Sequence, residues 1–241
     1  MKYPHRSVQT AYPGAGSITR LALWGLGLLV GGCWGTAPHT TGAKFLALGD
    51  SYTVGEQIDA AQCWPRQLAV ALRLRGIDVA DPTIIAETGW TTADLSRAMD
   101  QADLAGRYDL VGLLIGVNNQ FQGRSESEYR QQFAALLQRA IALAGGRAER
   151  VIVVSIPDYG VTPYARDNGL KAAAVGAAID RFNQINRQEA EKSGAAYVDI
   201  TAFTRQHADW VADDGLHPTA QAYGLWIPSL SDAAARALEA K

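Results

Sequence analysis

Two cysteines in 241 residues are too few for a disulfide framework, since only Cys33 and Cys63 could pair. Histidine is scarce too, with four in all, and His207 and His217 are the only two after residue 44. With no His-Glu-x-x-His, no Cys-x-x-Cys and no ligand cluster around that pair, no metal is expected. An excess of either charge is missing as well: 22 Lys and Arg face 24 Asp and Glu, for a net charge of −2. Without a basic stripe there is no case for a nucleic-acid partner. No Gly-x-Ser-x-Gly elbow follows residue 44, which argues against the α/β-hydrolase design. No phosphate-cradling glycine loop occurs either; Gly25 and Gly27 belong to an apolar leader. That leader's apolar run, Leu21 to Val30, is shorter than the ~20 residues a spanning helix needs.

What is present begins with that leader. Lys2, Arg6 and Arg20 occur in the first 32 residues and no acid does. The apolar run is followed by the small residues Gly31 and Gly32 and then Cys33, the order of a basic region, an apolar core and a cleavage site. The alternative is a buried or membrane-spanning N-terminal helix. The pattern resembles the signal peptide of a bacterial lipoprotein, with Val30-Gly31-Gly32-Cys33 as the lipobox and Cys33 as the lipidated first residue. That resemblance implies export and a lipid anchor in the cell envelope. Trp34, in place of an aspartate, points to the outer membrane, facing the periplasm. Residues 33–43 then form the lipidated cysteine and a polar, turn-rich tether, which contains His39. Cys63, beside Trp64, is expected to be a small buried hydrophobe.

From residue 44 to 241 the chain reads as one domain, without an internal repeat or a shift in composition. Five short apolar runs suit strands covered on both faces: 45–48, 83–86, 109–115, 151–156 and 195–200. Helical patterns lie between them. Pro65 fits a first helical turn. Thr91 to Asp94 and Ser125 to Glu128 read as capping boxes. Tyr129, Phe133, Leu136, Leu137 and Ala140 share one face, and the stripe Val175, Ile179, Phe182, Asn186 ends at Ser193-Gly194. A last helix starts near Thr219, and Pro228 is expected to kink or divide it. Strand–helix alternation implies a parallel sheet of five strands in a three-layer α/β/α sandwich. In such sheets ligands gather at the carboxyl ends of the strands.

The residues that could carry chemistry all fall at such ends. Gly49-Asp50-Ser51-Tyr52 follows the first strand, and a serine there is well sited as a nucleophile. A serine after Gly-Asp is also a common helix cap or turn residue. Asp214-Gly215-Leu216-His217 offers a carboxylate three residues before a histidine, close enough to fix its tautomer and leave the other nitrogen for a serine proton. The bland alternative is a solvated surface loop. Asp213 is one residue further away, and His207, with no carboxylate at that offset, is expected on the solvated surface. An oxyanion needs donors. Gly89, after the second strand, could offer its N–H, and Asn118, after the third, its side-chain amide.

Taken together, Gly-Asp-Ser, the later glycine, Gly-x-Asn and Asp-x-x-His resemble the four blocks of the SGNH, or GDSL-type, esterases and lipases, over almost the whole length from Lys44 onward. The resemblance implies a flavodoxin-like fold with Ser51 as nucleophile, His217 as base and Asp214 orienting it. The Ser51 N–H, Gly89 and Asn118 would form the oxyanion hole. The third block often reads Gly-x-Asn-Asp; here Asn119 takes the last place. Trp90, Tyr159 and Tyr164 are possible substrate contacts. The expected activity is serine-dependent hydrolysis of small-molecule, lipid or glycan esters, with no cofactor. The alternatives are a carbohydrate O-acetyl esterase or acyltransferase with the same triad, and a non-catalytic lipid-anchored binding protein.

Overall fold

The computed structural model describes residues 38–104 and 106–239. The leader and Cys33 lie outside them. Five strands form one wholly parallel sheet: β1 Phe45–Gly49, β2 Thr83–Ala86, β3 Leu110–Leu114, β4 Val151–Val154 and β5 Ala196–Val198, in the order β2-β1-β3-β4-β5. All five sequence-predicted strands exist: β2 with the expected bounds, β1 extended to Gly49, and β3, β4 and β5 shorter than expected. β1, β3 and β4 are buried along their whole length, as apolar runs covered on both faces must be. Register is set by pairs such as Gly49 opposite both Ala86 and Leu114, so β2, β1 and β3 finish level. That alignment brings the loops after β1, β2 and β3 to one rim.

Nine α-helices complete the layers among the described residues: α1 Ser51–Val54, α2 Trp64–Leu74, α3 Thr92–Gln101, α4 Val117–Phe121, α5 Glu126–Leu143, α6 Pro163–Asp167, α7 Ala172–Ser193, α8 Thr201–Gln206 and α9 Ala220–Glu239. On one face α2 packs against α9; on the other, α5 packs against α3 and α7. Trp64 at the start of α2 is 1% exposed, and its ring covers the middle of β3, where a Cβ on Gly112 would lie 2.7 Å from it. Full burial of a large apolar side chain contributes about 1.5–3 kcal/mol, and Leu46, Leu48, Leu68, Leu72, Phe133 and Trp226 are all essentially enclosed.

The caps follow the sequence in part. Thr91 and Asp94 form the reciprocal capping box, with Asp94 accepting from the Thr91 N–H at 2.9 Å. Ser125 accepts from the Glu128 N–H at 3.2 Å, but the Glu128 carboxylate accepts from Gln132 instead of returning to the cap, so only half of that box forms. Pro228 does not divide the last helix, which runs unbroken from Ala220 to Glu239. Pro228 has no N–H to donate to the Gly224 carbonyl four residues back, so one ladder bond is lost.

Part of the stretch read as a tether is joined to the domain. His39 Nε2 contacts Asp78 Oδ1 at 2.7 Å, the His39 N–H donates to Asp81 at 3.0 Å, and Ala43 pairs in parallel with Val79. Cys63 is buried and unpaired, and burial pushes its thiol pKa up.

Candidate active site

β1 ends at Gly49, and the chain turns at once into α1. Asp50 is the N-cap: its Oδ1 accepts from the Tyr52 N–H at 3.1 Å. Ser51 is therefore not the cap but the first helical residue, and its hydroxyl has no hydrogen-bond partner among the described residues. Ser51 is 4% exposed. Gly49 allows this turn, because a Cβ there would lie 2.1 Å from Thr53 Oγ1 and 2.5 Å from the Leu114 carbonyl oxygen.

The histidine stands on a hairpin-like loop just before α9. Val211 pairs antiparallel with Pro218, and the Ala212 N–H donates to the His217 carbonyl at 2.8 Å. At the tip, Gly215 has φ +68°, and its carbonyl accepts from the Tyr164 N–H at 2.9 Å. This turn folds Asp214 back onto His217. Asp214 Oδ2 lies 2.5 Å from His217 Nδ1, while Oδ1 accepts the N–H groups of Leu216 and His217 at 2.9 and 3.0 Å. Partial burial works against the charged form of Asp214. The His217 ring and those two N–H groups outweigh it and hold the carboxyl below its ordinary value. His217 is 8% exposed, and its ring lies 5.6 Å from that of Tyr52, centroid to centroid. The loop thus brings the Asp–His pair against the residue next to Ser51. Asp213 is exposed at the same tip and makes no such contact.

The two expected donor segments also meet. Gly89 occupies a turn with φ +85°, closed by the Trp90 N–H donating to Glu87. Asn118 Nδ2 donates to the Trp90 carbonyl at 2.9 Å, which ties the loop after β2 to the start of α4. A primary amide has two N–H groups, so one fixes the side chain and the other remains for a ligand. Gly116 caps α4 at φ +131°, where a Cβ would also sit 2.3 Å from the Tyr129 hydroxyl; only glycine fits. Asn119 is 1% exposed and bridges to Thr92, accepting from its N–H at 3.0 Å and donating to Oγ1 at 2.7 Å. An amide can do both; the aspartate common at that place could only accept.

Of the possible substrate contacts, Trp90 is half-buried and packs on the core. Tyr159 is 4% exposed, donates to Gln120 at 2.9 Å, and is covered at its edge by Phe121. Tyr164 is half-buried beside the Gly215 turn. His207 is half-buried instead of fully solvated, its ring 4.4 Å from that of Trp210 and tilted 40° to it. An apolar cleft beside His217 is lined by Tyr52, Tyr159, Trp210, Leu216, Pro218 and Trp226. Ser51, Asp214, His217 and Asn118 do not line it. No cluster of His, Cys, Asp and Glu among the described residues could hold a metal.

Residue-by-residue reading gives no role to three residues near these groups, Asp50, Tyr52 and Phe121, and misses one cross-loop bond. Asp50 and Tyr52 stand out only as neighbours of the serine. Phe121, 53% exposed three residues beyond Asn118, looked like an ordinary helix residue. The bond from the Thr88 hydroxyl to Glu56, which joins the loops after β1 and β2, joins residues too far apart for any local pattern to show.

A family model for the GDSL-like lipases and acylhydrolases matches residues 47–225. The chain belongs to that family and is an ester hydrolase of the esterase–lipase type. A relative described as an arylesterase, from Vibrio mimicus, is 28% identical over 202 residues, covering 80% of this chain and 88% of that one. Among solved structures, the psychrotrophic esterase EstA of a Pseudoalteromonas species superposes with a TM-score of 0.63 at 17% identity, covering 82% of this chain and all of the other. A mutant of an acetyl-xylooligosaccharide esterase from Geobacillus does so with 0.57 at 19%, covering 85% and 98%. At those identities the structural likenesses speak for the fold.

Proposed function

We propose that the protein hydrolyses carboxylic esters by nucleophilic catalysis at Ser51 through an acyl-enzyme intermediate. His217 Nε2 takes the hydroxyl proton as Oγ bonds to the ester carbonyl carbon, and passes it to the alcohol as the C–O bond breaks. Water, activated by the same nitrogen, then releases the acyl group. Asp214 keeps the ring in the tautomer that leaves Nε2 free. The negative oxygen rests on the Ser51 N–H, the Gly89 N–H and the spare Asn118 amide proton. The observation that carries this reading is the Asp214–His217 pair held against Tyr52, one residue from a serine hydroxyl that no structural role consumes. Catalytic hydrogen bonds are often completed only when substrate binds.

The arylesterase relative makes aryl esters the first substrates to try. The test is a panel of aryl and alkyl esters and acetylated xylo-oligosaccharides, run beside labelling with an organophosphonate. Ser51→Ala and His217→Ala should lower turnover by at least ~10³-fold, and the adduct should map to Ser51. Activity confined to the acetylated sugars would move the assignment to a carbohydrate O-acetyl esterase. No adduct and no turnover would leave a binding protein. We further propose that the chain is exported and anchored to the envelope through lipidated Cys33, on the strength of the Val30 to Cys33 pattern. An unmodified cysteine, or an uncleaved leader, in the mass spectrum of membrane-extracted protein would contradict this.

A further inference from the structure

Asp50 is a buried titratable group that the proposed reaction does not use. It is 0% exposed, and its Oδ2 is buried without a hydrogen-bond partner. A buried carboxyl with an unpartnered oxygen costs free energy that only partners could offset. Capping α1 does not demand it, because a serine, with its single oxygen, caps as well. What sets Asp50 apart is its second neighbour. The Gly116 N–H, from the turn that carries Asn118, approaches closely enough to favour the charged form. Behind that turn stands Tyr129, whose hydroxyl donates to the Ile115 carbonyl at 2.9 Å and blocks any side chain at Gly116. Thr53 and the Leu114 carbonyl at the end of β3 both crowd Gly49, the residue before Asp50. The carboxyl therefore sits between the two turns that supply the nucleophile and an oxyanion donor.

We propose that Asp50 is a positioning residue, whose carboxyl spaces the Ser51 turn from the Gly116–Asn118 turn so that serine and amide meet the same carbonyl. This rests on the reaction proposed above. It acts through shape and through its acceptor for the Tyr52 N–H, without touching substrate. Full charge is not required. Burial, only partly offset by the Tyr52 and Gly116 N–H groups, pushes the carboxyl up to about 7, so a large neutral fraction is present at neutral pH. Misplacing reacting groups by about 1 Å can cost ~10²-fold in rate.

Asp50→Ser, Asp50→Ala and Asp50→Asn should be compared with wild type and Ser51→Ala on one activated aryl acetate, with a melting curve for each. Serine keeps the cap but lacks the reach to the Gly116 turn. Asp50→Ser is expected to fold, to keep KM within about two-fold, and to lose about 10- to 100-fold in kcat. Asp50→Ala should lose at least as much. Asp50→Asn, with the shape restored, should return kcat to within about three-fold of wild type. The inference falls if Asp50→Ser matches wild-type kcat, if its loss lies in KM alone, or if Asp50→Asn is as slow as Asp50→Ser. An active Ser51→Ala would instead overturn the proposed reaction, so the two failures are told apart.

Discussion

Replacing Asp50 by Asn should make the protein more stable at pH 8 and leave it little changed, or weakened, at pH 4. The carboxyl has an ordinary pKa of 3.8 and is pushed up to about 7 in the fold, chiefly by complete burial, with the Tyr52 and Gly116 N–H groups pulling the other way. An acid raised in the folded state binds its proton more tightly there than in the unfolded chain. Below pH 3.8 both states are neutral and the group costs nothing by titration. Between 3.8 and about 7 the unfolded chain ionises first, so stability falls by up to about 1.4 kcal/mol per pH unit. Above about 7 both states are charged and the loss levels off at about 4 kcal/mol. Asparagine does not titrate, and its oxygen can still accept from the Tyr52 N–H. Its amide protons, lacking partners, add a penalty of about 1–3 kcal/mol that does not vary with pH. The diagnostic is therefore the pH-dependent part of the difference between mutant and wild type. Denaturant unfolding of both proteins at unit steps from pH 4 to 9 measures it, with the mutant gaining steadily to about pH 7 and no further. A difference that stays flat from pH 5 to 8 would refute the argument, since Asp50 would then titrate as an ordinary surface acid.

Other perturbations test other parts of the site. On the proposed mechanism, Asn118→Ala should lower kcat by ~10²–10³-fold, because it would remove the proposed oxyanion donor and also free the Trp90 carbonyl; steady-state kinetics on an aryl acetate decides. Gly116→Ala should destabilise by about 2–5 kcal/mol, combining a backbone at φ +131° with a Cβ 2.3 Å from the Tyr129 hydroxyl, and a melting temperature within 2 °C of wild type would contradict that. Asp214→Asn should cost about 10²-fold or more in kcat, since the amide no longer fixes the His217 tautomer. The Asp214 carboxyl lies below 3.8 in the fold, so its contribution to stability is present above that value and is lost as the pH falls through the lower folded pKa. The stability difference between Asp214→Asn and wild type should therefore narrow below pH 4 in acid unfolding curves.

Much of this was legible in the sequence, for identifiable reasons. Strands buried on both faces must be apolar throughout, and runs such as Phe45 to Leu48 cannot be solvated helix faces. The three-residue gap between Asp214 and His217 spans one turn, so local geometry alone could pair them. What escaped depends on partners distant in the chain. The half-burial of His207 needs Trp210 packed against it in the folded loop, and the docking of His39 needs Asp78 and Asp81 on the approach to β2. α9 runs on through Pro228 while packed along α2, a tertiary contact that a local proline rule does not see. The short helices α1, α4, α6 and α8 are too brief for any hydrophobic period to register.

The tetrad after β1 shows why single residues there were hard to weigh while the group was not. Each position meets a different physical demand. Gly49 must lack a side chain, because Thr53 and the Leu114 carbonyl occupy the space where one would go. Asp50 must cap α1, because Tyr52 would otherwise bury an unpaired N–H. With the cap supplied from Asp50, the Ser51 hydroxyl is released from the role that serine usually fills at a helix start. Tyr52 then turns inward, 2% exposed, and its ring lies 5.6 Å from that of His217, tilted 57° to it. Exchanging Asp50 and Ser51 keeps the composition but makes serine the cap and places a carboxylate at the first helical position, next to Tyr52. Such a double mutant should fold, because serine caps well and an acid is favoured in the first helical turn. It should also have no measurable esterase activity and take up no phosphonate. Activity within ~10-fold of wild type in that swapped protein would mean that the nucleophile lies elsewhere.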